Sequence, residues 1–472
     1  MPSEATKKFL IVLMLGLLTI SAFFMRLENF KKTPARSIDE VVYARMGKQM
    51  LQAGLAGYNT IPYARELTKQ GRPLPDYFFQ PVFKYPPLFT LLITQSMRMF
   101  GETFLAAGYV SLFCGVLLIP FVYLLGALTA NRFVGFLAAL LASMDPIAII
   151  CSQKVWPETT LALFTLLSVV CFVQAIKQKK YSFFLLSGVC CGLATMTKYP
   201  EILLVGAYGL YTVIWQKDLF TNKFFRAGLA IPFLMLVPWI FWNVQIYGWK
   251  WFPMQIGLHS SPLHQKELLL KAALMLVMIG GAFFWLFFRG GKKQLQQYIR
   301  RREHADDSVI SLLLGFGLAA ILWENLWRGF DLTSLPAAGW SSGMFYYAPA
   351  TFYLGRLLEF SLIYGFGYAV FFLSAKTVNE QVQALKVVSA VLMLFYIFWG
   401  NYQSRYILSA IPFFLVLAAY GVHWTMTKTF QQSQALKRNA LLTLFVLVVI
   451  YAFVKTGYIN ANLAFPNDLC YF

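Results

Sequence analysis

Two adjacent acidic side chains, Asp39 and Glu40, follow shortly after an apolar run from Phe9 to Met25. That run is long enough to enter a membrane. Carboxylates beside a bilayer are costly unless they have a function, and the chemistry open to them is proton transfer. The alternative is a solvated loop that carries an amphipathic helix. The rest of the chain favours a functional interpretation.

Composition decides the class of protein. The chain has 472 residues, of which 58% are hydrophobic and 13% charged, and its mean hydropathy is +0.60. About a quarter of the residues of a soluble domain are charged. The net charge of +20 comes from Lys and Arg scattered between apolar runs, which membrane topology and anionic lipid explain better than nucleic acid. We therefore predict an all-α polytopic membrane protein whose surroundings are the lipid bilayer, with no nucleic-acid partner.

Apolar segments predict about thirteen membrane helices, with the N-terminus in the cytoplasm. The predicted crossings are residues 9–25, 104–128, 132–150, 158–176, 181–197, 200–216, 226–246, 267–288, 308–323, 347–375, 387–400, 403–424 and 439–457. Under this alternation basic turns, such as Lys177–Lys180 and Lys428–Arg438, face the cytoplasm repeatedly. The segment 88–100 is predicted to lie along the external interface rather than cross.

The same alternation suggests two modules. Residues 1–250 form the first, with a long external loop at 26–87 that carries juxtamembrane helices. Residues 251–472 form a variable second module, with external loops near 247–266 and 324–346. Internal repeats would require a counterpart of the long first loop in the second module, and the sequence has none.

The predicted topology gathers the polar residues of interest on the external side. They are Asp39, Glu40, Lys84, Asp145, Lys154, Glu158, Lys198, Glu201, His259, His264, Glu324, Arg328, Asp331 and Arg405. A reaction that used ATP or a nucleotide-sugar from the cytoplasm would need a phosphate-binding glycine loop on the inner side, and the sequence has no such motif. We therefore expect the chemistry at the external face.

Four motifs resemble those of the GT-C membrane glycosyltransferases, in particular the protein O-mannosyltransferase and lipid A aminoarabinose transferase group. They are Asp39-Glu40 with Tyr43-Ala-Arg45, Lys84-Tyr-Pro-Pro-Leu88, Gly192-Leu-Ala-Thr-Met-Thr-Lys198, and Arg405-Tyr406 with Pro412. They occur in the family's order and span most of the chain. The sequence departs from the family at Tyr85, where many relatives have an acid or a His, and at Val42, where the aminoarabinose transferases have Arg.

The resemblance implies transfer of a sugar from a polyprenyl-phosphate donor to a lipid, glycan or protein acceptor at the external face, by displacement at the anomeric carbon. Asp39 or Glu40 matches the family's catalytic base, and we prefer Asp39. If the acceptor were a phosphate, the acid would orient it rather than deprotonate it. The sequence identifies neither the sugar nor the acceptor. By analogy with the family, a bacterial inner membrane is the expected location.

Cations and further polar residues complete the expected site. Lys84, Lys198 and Arg405 are the candidates for the donor phosphate. Helix capping for Lys198 and interfacial snorkelling for Arg405 remain alternatives. Candidates for orienting the sugar or the acceptor are Tyr43, Tyr85, Asp145, Glu158 and Glu324. For Asp145 and Glu158 the alternative is a role at a helix terminus.

No metal site or firm cofactor is predicted. His259 and His264 are spaced i,i+5, which does not favour a metal site, so a divalent cation has no support from ligand spacing. Two other classes of protein remain as alternatives. A secondary transporter or lipid-linked sugar flippase would place ionisable residues near the bilayer midplane. A membrane scaffold would not need charged residues concentrated on one face.

Overall fold

The computed structural model describes residues 4–32, 37–71, 74, 76–248, 353, 357–358, 361–373, 379–399, 404–431 and 435–463. Within these residues the chain forms α-helices joined by turns and short 3-10 helices. The helices are α1 (Glu4–Lys32), α2 (Ile38–Ala53), α3 (Ile61–Lys69), α4 (Leu88–Phe100), α5 (Phe104–Thr129), α6 (Arg132–Met144), α7 (Pro146–Ser152), α8 (Glu158–Gln178), α9 (Phe183–Thr195), α10 (Leu203–Trp215), α11 (Lys223–Tyr247), α12 (Tyr364–Leu373), α13 (Glu380–Trp399), α14 (Ile411–Phe430) and α15 (Ala435–Leu463). The all-α prediction is confirmed.

Several helices are long and apolar enough to cross a membrane. In the part of the chain that the structure describes, five qualify by length and hydropathy: Phe9–Glu28, Phe104–Thr129, Glu158–Gln178, Lys223–Tyr247 and Arg438–Tyr458. The bent pair α6 and α7 makes a sixth if counted as one span. The chain is therefore a multi-pass membrane protein. The count of about thirteen stays a prediction, and the crossings at 267–288 and 308–323 lie outside the described residues.

The predicted crossing at 132–150 is broken. Its two halves, α6 and α7, meet at an angle of 58° around Asp145 and Pro146. Pro146 provides no backbone N–H and starts α7 instead of continuing α6. The guanidinium of Arg26, from α1, is buried and donates to the Ser143 carbonyl (3.1 Å) and to the Ser152 hydroxyl (3.1 Å). The break is thus held by hydrogen bonds from a neighbouring helix.

The helices at two further predicted crossings begin later than predicted, because short 3-10 helices precede them. Tyr199–Ile202 precedes α10, and Ser404–Ser409 precedes α14. Each 3-10 helix carries a cation that the sequence singled out: Lys198 is the N-cap of the first, and Arg405 lies within the second. Both cations therefore lie in turns at helix ends and not inside membrane helices.

The first loop folds into a layer of short helices. The 13-residue α4 is about 20 Å long, too short to cross a hydrocarbon core of about 30 Å, and it packs on α2. A Cβ at Gly47 would overlap Ile93, so only glycine permits this close approach. The Thr94 hydroxyl donates to the Gly47 carbonyl (3.2 Å) across the contact. Apolar residues of α2 and α4 form a hydrophobic core of their own with the start of α5 and the end of α11. This core fixes the start of α2.

Basic turns lie at the end of the bundle opposite the layer of short helices. Asn131 contacts His423 (3.1 Å), the Asn379 amide donates to the Thr129 carbonyl (2.6 Å), and Lys177 donates to the Leu128 carbonyl. Asn131, Lys177 and Asn379 belong to turns that the sequence assigned to the cytoplasmic side, and His423 lies within α14. Helices on both sides of residue 250 meet, since α10 packs on α13 and α6 on α14. The division into two modules at residue 250 stays a prediction.

Candidate active site

A capping box starts α2 and separates the two adjacent acids. The Ser37 hydroxyl accepts from the Glu40 amide (3.4 Å), and the Ser37 amide donates to Glu40 Oε2 (2.8 Å). Glu40 is therefore turned back toward the protein and is 0% exposed. The preceding Asp39 is turned outward, with 51% of its side chain exposed. The two acids are neighbours in sequence but have different environments.

Glu40 binds the turn before α8. Its Oε1 accepts from the Val155 amide (3.2 Å), and its Oε2 lies 3.5 Å from the Lys154 ammonium. The Trp156 indole of the same turn donates to the Ser37 hydroxyl (3.0 Å). Glu40 thus joins the start of α2 to the turn at residues 154–156, and its contacts stabilise the fold.

Glu40→Ala should therefore destabilise the protein much more than Asp39→Ala. The first change leaves the buried Val155 amide without its acceptor and removes half of the capping box, a cost of about 2–4 kcal/mol. The second change removes a half-exposed side chain, at a cost below about 1 kcal/mol. Thermal unfolding of both variants in detergent checks this. Equal loss of stability in the two would contradict the division of roles.

Asp39 pairs with Arg405, a residue 366 positions away. The Arg405 Nη2 donates to Asp39 Oδ2 at 2.8 Å. Partial desolvation by the surrounding protein alone would raise the pKa of Asp39, but the charge and hydrogen bond of Arg405, assisted by Lys84 and Lys198, bring it below its usual value. Asp39 is therefore ionised at neutral pH.

Arg405 is held between aromatic rings and a second acid. Its guanidinium lies 4.4 Å from the centre of the Trp156 ring and 5.2 Å from that of Tyr406. Its Nε lies 3.8 Å from Glu158 Oε1. A planar guanidinium stacks on aromatic faces while its edge still binds carboxylate or phosphate oxygens. Arg405 is buried, with 10% of its side chain exposed, and it faces both Asp39 and Glu158.

Glu158 and Lys198 form the second ion pair of the site. Glu158 is the first residue of α8, where the helix dipole favours an acid. Its Oε1 accepts from the Lys198 ammonium at 2.7 Å, and the side chain is 2% exposed. Its Oε2 is buried and has no hydrogen-bond partner among the described residues. The predicted helix-terminus position of Glu158 is correct, and the same residue also joins the cation cluster.

Tyr85 brings Lys84 and Lys198 together. The Lys84 ammonium lies 5.0 Å from the centre of the Tyr85 ring, and that of Lys198 lies 5.7 Å from it. The Tyr58 hydroxyl donates to the Tyr85 carbonyl (2.9 Å), and the Tyr199 hydroxyl donates to the Lys84 carbonyl (3.3 Å). The Pro-Pro turn is thus fixed by side chains from two other segments.

The remaining predicted residues lie in other surroundings. Tyr43 is buried beneath the Pro-Pro turn, with edge contacts to Phe83 and Phe89. Asp145 caps α7 by accepting from the Ala148 amide (2.8 Å), and its other oxygen accepts from the Tyr364 hydroxyl (2.6 Å). These contacts match the helix-terminus alternative for Asp145.

Three candidates, Glu324, His259 and His264, lie outside the described residues. Within the described part of the chain, no group of three or more His, Cys, Asp or Glu is placed to hold a metal ion. The two acids of the cluster, Asp39 and Glu158, are instead matched by Arg405 and Lys198.

Sequence reasoning missed Trp156. Its ring lies against the Arg405 guanidinium, and its indole binds the N-cap of α2. The only signal was a Trp next to Pro157 and Glu158 at a helix start, which interfacial aromatic residues also produce. Trp156 links three segments that meet only in the folded chain.

The fold and part of the sequence resemble those of known proteins. Residues 84–242 match the family model described as dolichyl-phosphate-mannose-protein mannosyltransferase. The structure resembles that of the Archaeoglobus fulgidus oligosaccharyltransferase, with a TM-score of 0.61 at 15% identity over 98% of this chain and 57% of that chain. It resembles ArnT from Cupriavidus metallidurans with a TM-score of 0.56 at 13% identity, over 98% of this chain and 77% of that chain. The fold of the chain is therefore similar to the folds of these two proteins, and its residues 84–242 resemble the mannosyltransferase family.

Curated relatives match part of the sequence. The chain is 28% identical over 209 residues to the undecaprenyl phosphate-alpha-4-amino-4-deoxy-L-arabinose arabinosyl transferase of Yersinia enterocolitica. This match covers 43% of this chain and 35% of that protein. It is 25% identical over 245 residues to the protein of the same name from Yersinia pestis. This second match covers 48% of this chain and 41% of that protein. The matches thus span about two fifths or less of the length of these two relatives.

Proposed function

We propose that the protein is an integral membrane glycosyltransferase that moves a hexose or pentose from a polyprenyl-phosphate donor to an acceptor at the external membrane face. The observation that carries this proposal is the cluster of Asp39, Arg405, Glu158 and Lys198, with Lys84 beside it, at the end of the bundle opposite the basic turns. The site combines an ionised carboxylate with several cations, as transfer from a sugar phosphate requires.

In the proposed step, an acceptor oxygen forms a bond to the anomeric carbon of the sugar. The bond from that carbon to the phosphate oxygen breaks, and its electron pair stays with the phosphate. The proton of the acceptor hydroxyl moves to the Asp39 carboxylate. The products are the glycosylated acceptor and a polyprenyl phosphate, and Asp39 later releases the proton to water. We assign this step to Asp39 because its side chain is half exposed, whereas Glu40 is enclosed.

The cations stabilise the phosphate as it leaves. Arg405 offers a planar fork to phosphate oxygens, while Lys84 and Lys198 act as point charges. Because Arg405 already binds Asp39, a donor phosphate competes with Asp39 for the guanidinium. Donor binding would weaken this ion pair and so raise the pKa of Asp39, which makes the carboxylate a better base when the donor is in place.

Other residues of the site orient the substrates in this proposal. Tyr85 presents a ring between two cations and can stack on a sugar face. The buried Oε2 of Glu158 can accept a hydrogen bond from a sugar hydroxyl. Tyr43 supports the Pro-Pro turn from below, and Asp145 shapes the helix break. Glu324 keeps its proposed acceptor-side role from the sequence alone.

The proposed location is a bacterial inner membrane, with the site on the periplasmic side. Two observations support this. The two curated relatives from Yersinia are bacterial, and basic turns cluster at the end of the bundle away from the site. Positive turns favour the cytoplasmic side.

Sugar transfer from purified donors tests the proposal. The protein in detergent or vesicles is supplied with radiolabelled undecaprenyl-phosphate-linked pentoses and hexoses and with membrane lipids, glycans and peptides as acceptors. We expect label in one acceptor class, with polyprenyl phosphate released in equal amount. Movement of the intact labelled donor across vesicles without release of the phosphate would support a flippase instead.

A further inference from the structure

A buried polar cluster of Glu201, Tyr396 and Ser409 adjoins the site and takes no part in the proposed step. Glu201, which is 0% exposed, accepts a hydrogen bond from the Tyr396 hydroxyl at 3.3 Å. The Tyr396 hydroxyl lies 3.2 Å from the Ser409 hydroxyl. Burying a carboxylate costs free energy, and this cost indicates that Glu201 has a function.

The three residues come from segments that carry or adjoin the cations. Glu201 lies in the 3-10 helix Tyr199–Ile202, whose N-cap is Lys198. Ser409 ends the 3-10 helix Ser404–Ser409, which contains Arg405. Tyr396, from α13, lies between the two. Because 3-10 helices have poor internal hydrogen bonds, contacts with neighbouring segments must fix their position.

The two cations meet on one acid. Lys198 lies 2.7 Å and Arg405 3.8 Å from the same oxygen of Glu158. Both can reach a common anion only if their turns keep a fixed distance from each other. The chain of contacts from Glu201 through Tyr396 to Ser409 links these two turns independently of Glu158.

We infer that Glu201 is a positioning residue for the donor phosphate: with Tyr396 and Ser409 it fixes the turns that carry Lys198 and Arg405, so that both cations bind one phosphate group. This inference rests on the proposed function. It predicts that the loss of Glu201 weakens phosphate binding, beyond any effect on folding.

Binding of undecaprenyl phosphate to the purified full-length protein tests this inference. Glu201→Ala should raise the Kd about tenfold, the usual consequence of losing a buried hydrogen bond that holds a binding group. Glu201→Gln keeps an oxygen that accepts from Tyr396 and should stay within about twofold of the parent. Tyr396→Phe should weaken binding too, and the double variant Glu201→Ala with Tyr396→Phe should be no weaker than Glu201→Ala, because both remove the same link.

Tyr208→Phe is the matched control. It also removes a buried phenol hydroxyl, which contacts Ser168 at 2.7 Å between helices outside the site. Its Kd should equal that of the parent. If Tyr208→Phe weakens binding as much as Tyr396→Phe, or if Glu201→Ala binds like the parent, the inference is overturned. If Glu201→Ala does not fold, the Tyr396→Phe comparison decides.

The same measurement separates this inference from the proposed function. A parent protein that binds undecaprenyl phosphate but transfers no sugar would contradict the transferase and leave the positioning role standing. A parent that does not bind undecaprenyl phosphate would overturn both. Where transfer is observed, Glu201→Ala should raise the KM for the donor with a smaller change in kcat.

Discussion

Asp39→Asn should lower kcat for sugar transfer about a thousandfold, with the protein still folded. Asparagine keeps the size of the side chain and an oxygen for Arg405, but it cannot take a proton from the acceptor. General-base catalysis contributes about 10²–10⁴ to a rate, and this range sets the expected loss. Because Asp39 is half exposed and Glu40 holds the start of α2, the melting temperature should change little. Single-turnover transfer with the labelled donor measures the rate.

Glu66→Gln is the matched control for Asp39→Asn. Glu66 also accepts hydrogen bonds from an arginine, Arg45, but this pair is exposed and lies outside the site. Replacing Glu66 with the neutral Gln should leave the transfer rate within about twofold of the parent, since exposed ion pairs contribute little to stability. Full activity of Asp39→Asn would remove Asp39 as the base. It would instead favour an acceptor that is itself a phosphate.

The grouping of the candidate site residues could be predicted from the sequence, because the alternation of helices across the membrane depends on few assumptions. Apolar runs separated by basic turns put Asp39, Lys198 and Arg405 at one end of a bundle, although Asp39 and Arg405 are 366 residues apart. The alternation of helices across the membrane does not indicate which acidic side chain pairs with which Lys or Arg. Those pairs follow from the packing of turns that are remote in sequence.

The difference between Asp39 and Glu40 was available in the sequence. Ser37 and Glu40 are three residues apart, the spacing of a capping box, and this assigns Glu40 to the helix start. The preference for Asp39 as the base rested on the family match and stays a prediction, although Asp39 is half exposed and Glu40 is buried. Local chemistry gives a physical reason for it.

Other features could not be read from the sequence. The sequence offered a helix terminus at Asp145 as an alternative, but the apolar segment on both sides of it favoured a single crossing at 132–150. Only the buried Arg26 on the neighbouring helix, which binds the Ser143 carbonyl and the Ser152 hydroxyl, shows why a bend is stable there. The stacking of Arg405 on Trp156 likewise depends on three segments that meet only in the fold.

Arg405→Gln should move the acidic limb of the pH profile upward and lower kcat/KM for the donor about a hundredfold. The free enzyme contains the Asp39–Arg405 pair, and kcat/KM reports the pKa of groups in the free enzyme. In the parent, Arg405 lowers the pKa of Asp39, so activity is retained on acidification until the pH falls below the usual range of an aspartate near 4. Without Arg405, burial raises this pKa and only Lys84 and Lys198 oppose the rise. Activity should then be lost at a higher pH.

Arg405→Lys separates the charge of Arg405 from its geometry. Lysine retains the positive charge, so the acidic limb should move less than in Arg405→Gln, but it lacks the planar fork and should still bind the donor phosphate more weakly. Profiles of kcat/KM from about pH 3 to pH 8 measure both effects. In the parent, the limb in kcat should lie above the limb in kcat/KM, because the bound donor phosphate draws Arg405 away from Asp39. An acidic limb that stays in place when Arg405 is replaced would show that the titrating group is not Asp39.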